Sequence, residues 1–595
     1  MKVAQTQYFD VIFCDESLHT ANLVIQNADL LYEQAYETVK PDEKIRMPII
    51  ISPDSDKLEI TYSPNPYNRI VIFEGVPTVE TALFENTVLS LLFQEIAKAV
   101  QYSVSSKFVQ VVKKFIPSDM FQPIPFINLP FSFAEGFSFV EGSSDGQGML
   151  NDKFALQQLI LAKAQNKFPN WTQISVMKNS KTENDFSSFA GAAFIAFIQQ
   201  RWGMEKFLEF WNECGKLHLY LTSGIFFKVY NVSISSAWND FYDTIPLPED
   251  LELMEELEKN SSKVIKNDTE GAIKNILSTP YGIIWYDDIR HEVDILDPSN
   301  DIKMRQLLFL ASDVNRISVS PDGRFLVVSY TQIKNRSEFK SEVSWIYDIQ
   351  ERSFFKESYD LREGAIVQLK NGLYVIAGIN VKDKAPSIEV YTIPSLYEKL
   401  EIDVDLSGFE SIEEYDDSNT QLLYERTFDY TAVLSCPVFV DRDLIFCVVH
   451  KELEDYILTV ELSTSKEEVF QLYDEKSNPL KIRELNNFSK NNNENFVFSF
   501  IPNGKVGFTR LGIFQIDENK IPNKVFLQKT DILGGVNYPV LHNNELFYSA
   551  NKIEYNELKK IPFDLLDFSE GYVQQSNVEL PFLASETWGY NNYKN

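Results

Sequence analysis

The sequence predicts a multidomain chain in which an α+β unit precedes an all-β unit. Three observations carry that prediction. Apolar residues at helical spacing dominate 80–242, and a charged, proline-punctuated stretch interrupts the chain at 246–275. Beyond it, short β-branched and aromatic runs alternate with Gly, Asn and Asp turns. The expected boundaries are 1–248 for the first domain, 249–275 for an acidic linker and 276–595 for the second domain.

Tyr8–Cys14 reads as the first strand, and Thr20–Val39 as a helix through Ala21, Val24, Ala28, Leu31 and Ala35. Met47–Ser52 and Arg69–Glu74 are strand-like, with a turn cluster at Ser63-Pro64-Asn65-Pro66-Tyr67 between them; Arg69–Glu74 is expected at the sheet edge. The connector carries a short charged helix at Glu249–Lys259. After it come strand runs such as Gly282–Tyr286, Phe325–Tyr330, Leu373–Gly378, Leu444–Val449, Asn495–Phe500 and Glu545–Ser549.

Bulk composition narrows the function classes. A chain of 595 residues with 44% hydrophobic and 13% aromatic content can bury a large core and is expected to fold rather than stay disordered. A net charge of -31 argues against nucleic acid or an anionic membrane surface as partner, since both need a basic footprint. No apolar run reaches the roughly 18 residues of a membrane span. Four cysteines are too few for a disulfide scaffold. Cys436 and Cys447 flank a turn at Asp441-Arg442, which leaves a hairpin disulfide and two buried thiols both open.

Ile317-Ser318-Val319-Ser320-Pro321-Asp322-Gly323-Arg324-Phe325-Leu326-Val327-Val328 resembles the strand, turn and strand of TolB-like and WD-type β-propeller blades; Ile501–Phe508 is a weaker copy. About 300 residues at ~40–45 per blade gives about seven blades, with six or eight, or a pair of stacked β-sandwiches, as alternatives.

In the first unit, Leu91-Leu92-Phe93-Gln94-Glu95-Ile96-Ala97-Lys98-Ala99-Val100-Gln101 resembles a His-Glu-x-x-His helix without its histidines. In such a helix two histidines four residues apart share a face and bind one Zn²⁺, and the glutamate is the general base. Here Glu95 stands at the base position, and Gln94 and Lys98 stand at the ligand positions. Phe133-Ala134-Glu135-Gly136-Phe137 resembles the Glu-Gly segment that supplies the third ligand, and Gly146–Asp152, Phe189–Gly203 and Ala237-Trp238-Asn239-Asp240-Phe241 resemble segments downstream of it. Together these residues resemble the bacterial gluzincin (peptidase MA-like) zinc metallopeptidases over roughly Tyr8–Pro248. The resemblance implies an α+β zincin domain with a degenerate motif, followed here by the propeller.

Catalytic zinc needs three protein ligands and one open position. Of the former metal-site positions Gln94, Lys98 and Glu135, only the last is a competent ligand. The five histidines, at 19, 218, 291, 450 and 542, leave 20–217 without a replacement. No zinc or other cofactor is therefore expected, and Glu95 is vestigial. Lys98 is expected to pair with Glu135, and with Glu95 as well, because two inward carboxylates without a cation would repel; ordinary solvated helix residues are the alternative.

The implied function is a pseudopeptidase that binds a protein, peptide or glycan through the old cleft, the propeller face or both. The rival is a metal-independent hydrolase using Glu95 and Glu135 as acid and base. The resemblance further implies export to the periplasm or cell envelope. Met1–Gln7 lacks the apolar core of a secretion signal, so a mature form with its signal removed and a cytoplasmic protein both remain open. The cluster Glu413-Glu414-Tyr415-Asp416-Asp417 reads as a solvated loop or a weak Ca²⁺ site.

Overall fold

A computed structural model describes the chain except for residues 43, 65, 82–83, 105–128, 144–145, 177–185, 217–220, 264–271, 298–301, 311–313, 334–339, 381–384, 397–419, 431, 441, 452, 491–492, 503–505, 519, 554, 579 and 581–595. The cluster at 413–417 and the 503–505 turn lie outside the described residues. The chain divides into one unit of residues 1–75 and 83–247 and a second of 76–82 and 248–584. The first is α/β and the second sheet-rich. Among the described residues no helix is long and apolar enough to cross a membrane.

The first unit is built on a five-stranded mixed sheet, in which β1 (Lys2–Gln5), β2 (Phe9–Phe13), β3 (Met47–Ser52), β4 (Glu59–Ser63) and β5 (Arg69–Phe73) run in the order β1-β2-β3-β5-β4. Strands β2, β3 and β5 are parallel and the outer two are antiparallel to their neighbours. Alternate residues of β2 and β3 are buried, as a sheet with a packed face requires. The expectation of Arg69–Glu74 at the edge is corrected here: β5 is internal and β4 is the edge. The chain before the turn cluster, Glu59–Ser63, pairs antiparallel with β5 as a strand.

Helix α1 (Leu18–Val39) buries Ala21, Val24, Ala28, Tyr32, Ala35 and Val39 along one stripe and packs against α2 (Thr87–Ser103). The Asn86 side chain caps α2 by accepting from the Leu89 N–H at 3.0 Å. Helices α3 (Phe131–Glu141), α4 (Lys153–Ala164), α5 (Trp171–Val176), α6 (Phe186–Trp202), α7 (Met204–Cys214), α8 (Thr222–Tyr230) and α9 (Ile234–Thr244) are the other α-helices of the unit among the described residues. Glycine decides how α3 and α6 meet. A Cβ on Gly136 would lie 2.7 Å from the Ala192 nitrogen, and one on Gly191 would lie within 2.8 Å of Ser132 backbone and side-chain atoms. Around that contact Phe133 meets Trp171, Phe194 and Phe210 edge-on, and Phe137 meets Phe207 and Trp211. The Trp211 indole also donates to the Gln101 carbonyl at 3.0 Å, which fixes the end of α2.

The second unit opens with α10 (Leu251–Asn260) and β6 (Ser262–Lys263). The strands that follow form meanders: β7 to β10 (Ile273–Thr279, Gly282–Asp287, Glu292–Asp297, Ile302–Phe309); β11 to β14 (Val314–Val319, Phe325–Ile333, Lys340–Asp348, Ser353–Tyr359); and β15 to β18 (Leu361–Gln368, Tyr374–Asn380, Ser387–Thr392, Leu422–Thr427). Next come β19 to β22 (Val433–Phe439, Leu444–Lys451, Glu454–Glu461, Lys466–Tyr473) and β23 to β26 (Ile482–Lys490, Asn493–Phe500, Arg510–Ile516, Pro522–Gln528). The last strands are β27 to β29 (Asn537–His542, Glu545–Asn551, Asn556–Pro562) and β30 (Phe568–Gln575). Strand β6 pairs with β29 as the fourth strand of the last group, and β30 bridges β22 and β26 into a nine-stranded sheet. Among the described residues there are thus six four-stranded meanders, where about seven repeats were expected.

The expected linker is also partly corrected. Glu258 of α10 accepts from Lys552 and Lys559 at 2.9 Å each, so 251–263 belong to the second unit, and its first meander starts at Ile273 rather than 276. Residues 76–82 belong to it as well: Arg362 donates to the Pro77 carbonyl at 2.8 Å and pairs with Glu342.

The first strand of each meander lies beside the first strand of the next, and β27 returns to β7. Ser549 spans that closure by donating to the Ile273 carbonyl at 2.9 Å. Each of the six first strands is bulged. Asn275, Glu363, Cys436, Glu484 and Tyr538 take left-handed φ at five of these bulges. The bulges are tied together. Glu363 accepts from the Cys436 N–H at 2.6 Å, and Glu484 accepts from the Tyr538 N–H one group further on. Cys436 and Cys447 are both free thiols. Cys436 is held in its bulge, and the Cys447 thiol donates to the Ser435 carbonyl at 3.3 Å.

Candidate functional site

Helix α2 carries Gln94, Glu95 and Lys98, and α3 carries Glu135. The Lys98 ammonium lies 2.7 Å from Glu135 Oε2 and 3.9 Å from Glu95 Oε2. The three side chains are only 14%, 20% and 14% exposed, for Lys98, Glu135 and Glu95 respectively. Glu95 Oε2 also accepts the Tyr62 backbone N–H at 2.5 Å. Tyr62 is in β4, so the carboxylate clasps α2 to the sheet edge and uses a donor that an edge strand would otherwise present outward.

Burial drives the Glu95 carboxyl up to about 7; Lys98 and the Tyr62 N–H oppose that rise, while Glu135 and Glu59 add to it. Burial would lower the Lys98 amine, but Glu95 and Glu135 outweigh it and hold the ammonium above its ordinary value. Tyr62 and Tyr102 stack with ring centroids 6.2 Å apart beside these groups. Burial raises both phenols, and the nearby carboxylates raise them further.

Gln94 is buried and faces Gly142, where a Cβ would sit 2.4 Å from its Cγ. The zinc that the gluzincin resemblance implies does not fit this donor set. Position 94 offers a neutral amide, position 98 an ammonium, and Glu135 is already bonded to that ammonium. What the constellation can do is hold two largely shielded carboxylates beside one fixed cation, with Glu95 exchanging a proton near neutrality.

Sequence reasoning missed Tyr62, Tyr102 and Glu59. Tyr102 had a signal, since it lies four residues beyond Lys98 on the same helical face. Tyr62 and Glu59 had none, because β4 was not read as a strand. A second grouping was also missed. His450 Nδ1 is 2.8 Å from Asp455 Oδ1 and its Nε2 is 3.0 Å from Ser435 Oγ. All three are buried within β19 to β21, 3–4% exposed, so this Ser-His-Asp row has no open approach for a substrate. The other histidines of the second unit bond hydroxyls, His291 that of Tyr286 and His542 that of Ser278.

No family model matches the chain. A protein of Treponema pallidum (strain Nichols), described as uncharacterized, is 26% identical over 361 residues, which is 60% of this chain and 31% of that protein. The chain therefore spans about a third of that relative's length. Among solved structures, one of a study of two prolyl endopeptidases matches with a TM-score of 0.31 and 8% identity, over 55% of this chain and 52% of that one. A puromycin-hydrolyzing peptidase of Mycobacterium tuberculosis matches with 0.28 and 11%, over 55% and 48%. A chain of the mitotic checkpoint complex matches with 0.26 and 10%, over 50% and 97%. Likenesses this distant carry no weight for the function.

Proposed function

We propose that this chain is a pseudopeptidase: a gluzincin-like first unit that binds an extended peptide without cleaving it, joined to a six-bladed β-propeller. The observation that carries the reading is the Lys98 ammonium bonded at 2.7 Å to Glu135. It puts a covalently attached cation among the carboxylates where the peptidase family places zinc, and so removes the need for metal together with the means of activating water. The propeller part is supported by six meanders whose first strands neighbour one another in a closed circuit, with β6 completing the last group.

Binding is assigned to the β4 edge. Tyr62 points its N–H away from β5, and by the two-residue alternation of a strand the N–H and C=O of Ile60 point the same way, the direction that strand addition uses. The purified full chain should retain peptides from a library of unstructured decapeptides, return them intact, and show hydrogen-exchange protection at 59–63 while they are bound. Chelator-resistant cleavage that is lost in Glu95→Gln would instead favour the metal-independent hydrolase.

A further inference from the structure

The second unit holds a cavity of about 740 Å³ to which all six meanders contribute. Its charge runs opposite to that of the chain. Against 86 acidic and 55 basic residues overall, the charged lining among the described residues is Arg316, Lys370 and Arg442 with one carboxylate, Asp322. Asp322 is engaged in its own turn, where Oδ1 accepts from the Arg324 N–H at 3.1 Å and from the Ser320 hydroxyl. His542, also in the lining, is lowered by burial and is neutral at pH 7.

Arg316 defines the floor. It leaves β11, bonds Glu363 of β15 at 3.0 Å, and donates to the Leu485 carbonyl of β23 at 3.2 Å. In the circuit of first strands β11 and β23 are three steps apart out of six, so the side chain reaches across the middle of the ring. It is 7% exposed, and these two bonds use two of the five N–H donors of a guanidinium. Lys370 and Arg442 are exposed in the turns after β15 and β19, at the rim. The wall between them mixes apolar side chains, Val319, Val438, Phe496 and Leu541, with polar ones such as Gln368 and Asn495.

We infer that this cavity is a binding site for a small carboxylate-bearing molecule whose acid group reaches Arg316 while its stem lies along the apolar side chains of the wall. A planar guanidinium with spare donors, set in a pit of mixed polar and apolar lining, matches a carboxylate, and the volume is in the usual range for small-ligand pockets. The rim cations draw an anion into a chain that otherwise repels it. The site is independent of the β4 reading, and failure of one leaves the other standing.

The test is calorimetric titration of the full chain with hexanoate, succinate and citrate, and with a pentapeptide pool bearing either free or amidated C-termini. The free acids separate a metabolite-like ligand from a peptide terminus as the source of the carboxylate. At least one probe with a free carboxylate should saturate with a Kd below about 1 mM, and blocking that carboxylate as ester or amide should cost about tenfold or more. Arg442→Glu and Lys370→Glu, both in exposed turns, should weaken the same probe and reduce its salt dependence while the melting temperature stays unchanged. Arg316→Lys keeps the charge but loses the fork and should weaken binding about tenfold in a folded protein. No saturation by any probe at 10-fold above that Kd limit (about 10 mM) overturns the inference. So does equal binding of acid and amide, or binding indifferent to all three substitutions.

Discussion

Lys98 and Glu135 form a 2.7 Å ion pair between α2 and α3, largely shielded from solvent, with Glu95 at 3.9 Å from the same ammonium. The pair holds two helices together and offsets one of two neighbouring carboxylates. Removing only the cation leaves both carboxylates enclosed without compensation. Lys98→Met should therefore destabilise α2 by about 3 kcal/mol, read as faster exchange of its amide hydrogens. Lys98→Met combined with Glu135→Leu should recover most of that loss, because the uncompensated charge goes with its partner. Additive losses in the double variant would show that the two side chains do not act as a pair.

Glu95 adds a pH dependence of definite sign. Its folded-state value of about 7 lies above the ordinary carboxylate value, so the folded state binds a proton more tightly than the unfolded one. Stability should then be greatest on the acid side of this window and fall as pH rises from about 4.5 to about 7, by up to about 1.4 kcal/mol per pH unit. Glu95→Gln keeps an acceptor for the Tyr62 N–H and imitates the protonated form. It should flatten the slope and be more stable than the parent at pH 8, measured by urea denaturation across the range. A parallel slope in the variant would assign the pH dependence to another group.

Metal affinity should be recoverable by restoring the donors. The parent chain is expected to purify without stoichiometric zinc, whereas Gln94→His/Lys98→His should take up about one zinc per chain, with Glu135 as the third ligand. Replacing Glu135 by Gln in that background should abolish the uptake. Position 94 sets the difficulty, since its side chain lies against Gly142 with no room for a Cβ there. Stoichiometric zinc in the parent, found by elemental analysis, would contradict the reading of Lys98 as the resident cation.

How much of this was legible depended on whether the signal was local. Helix periodicity placed α1 and α2, and the resemblance to a zinc-peptidase helix and its Glu-Gly segment singled out Glu95, Lys98 and Glu135, whose carboxylates lie within 3.9 Å of the Lys98 ammonium. Strand β4 was not legible, because Glu59–Ser63 is short, carries a charge and gains its identity by pairing with β5. The expectation of about seven repeats came from length alone, with six among its alternatives, and the described residues form six meanders. Arg316 gave no sign in sequence: its partners lie 47 and 169 residues away, and only the circuit of strands brings them to one point.

The Ser435-His450-Asp455 row is the sharpest warning against reading function from residue types alone. Its distances are those of a hydrolytic triad, yet each member is buried and Asp455 Oδ2 also accepts the Ile482 N–H at 2.6 Å, tying β21 to β23. Burial would raise Asp455, but His450, Lys481 and Arg483 overcome it and hold the carboxyl well below its usual range. A depressed carboxylate contributes stability that is present above about pH 4 and lost as pH falls below it. Asp455→Asn should thus cost about 3 kcal/mol at pH 7 and less at pH 3, measured by denaturation of the second unit. Ser435 should remain unlabelled by a fluorophosphonate probe in the native chain. Labelling at Ser435 that depends on His450 would make the row a working nucleophile rather than a brace between strands.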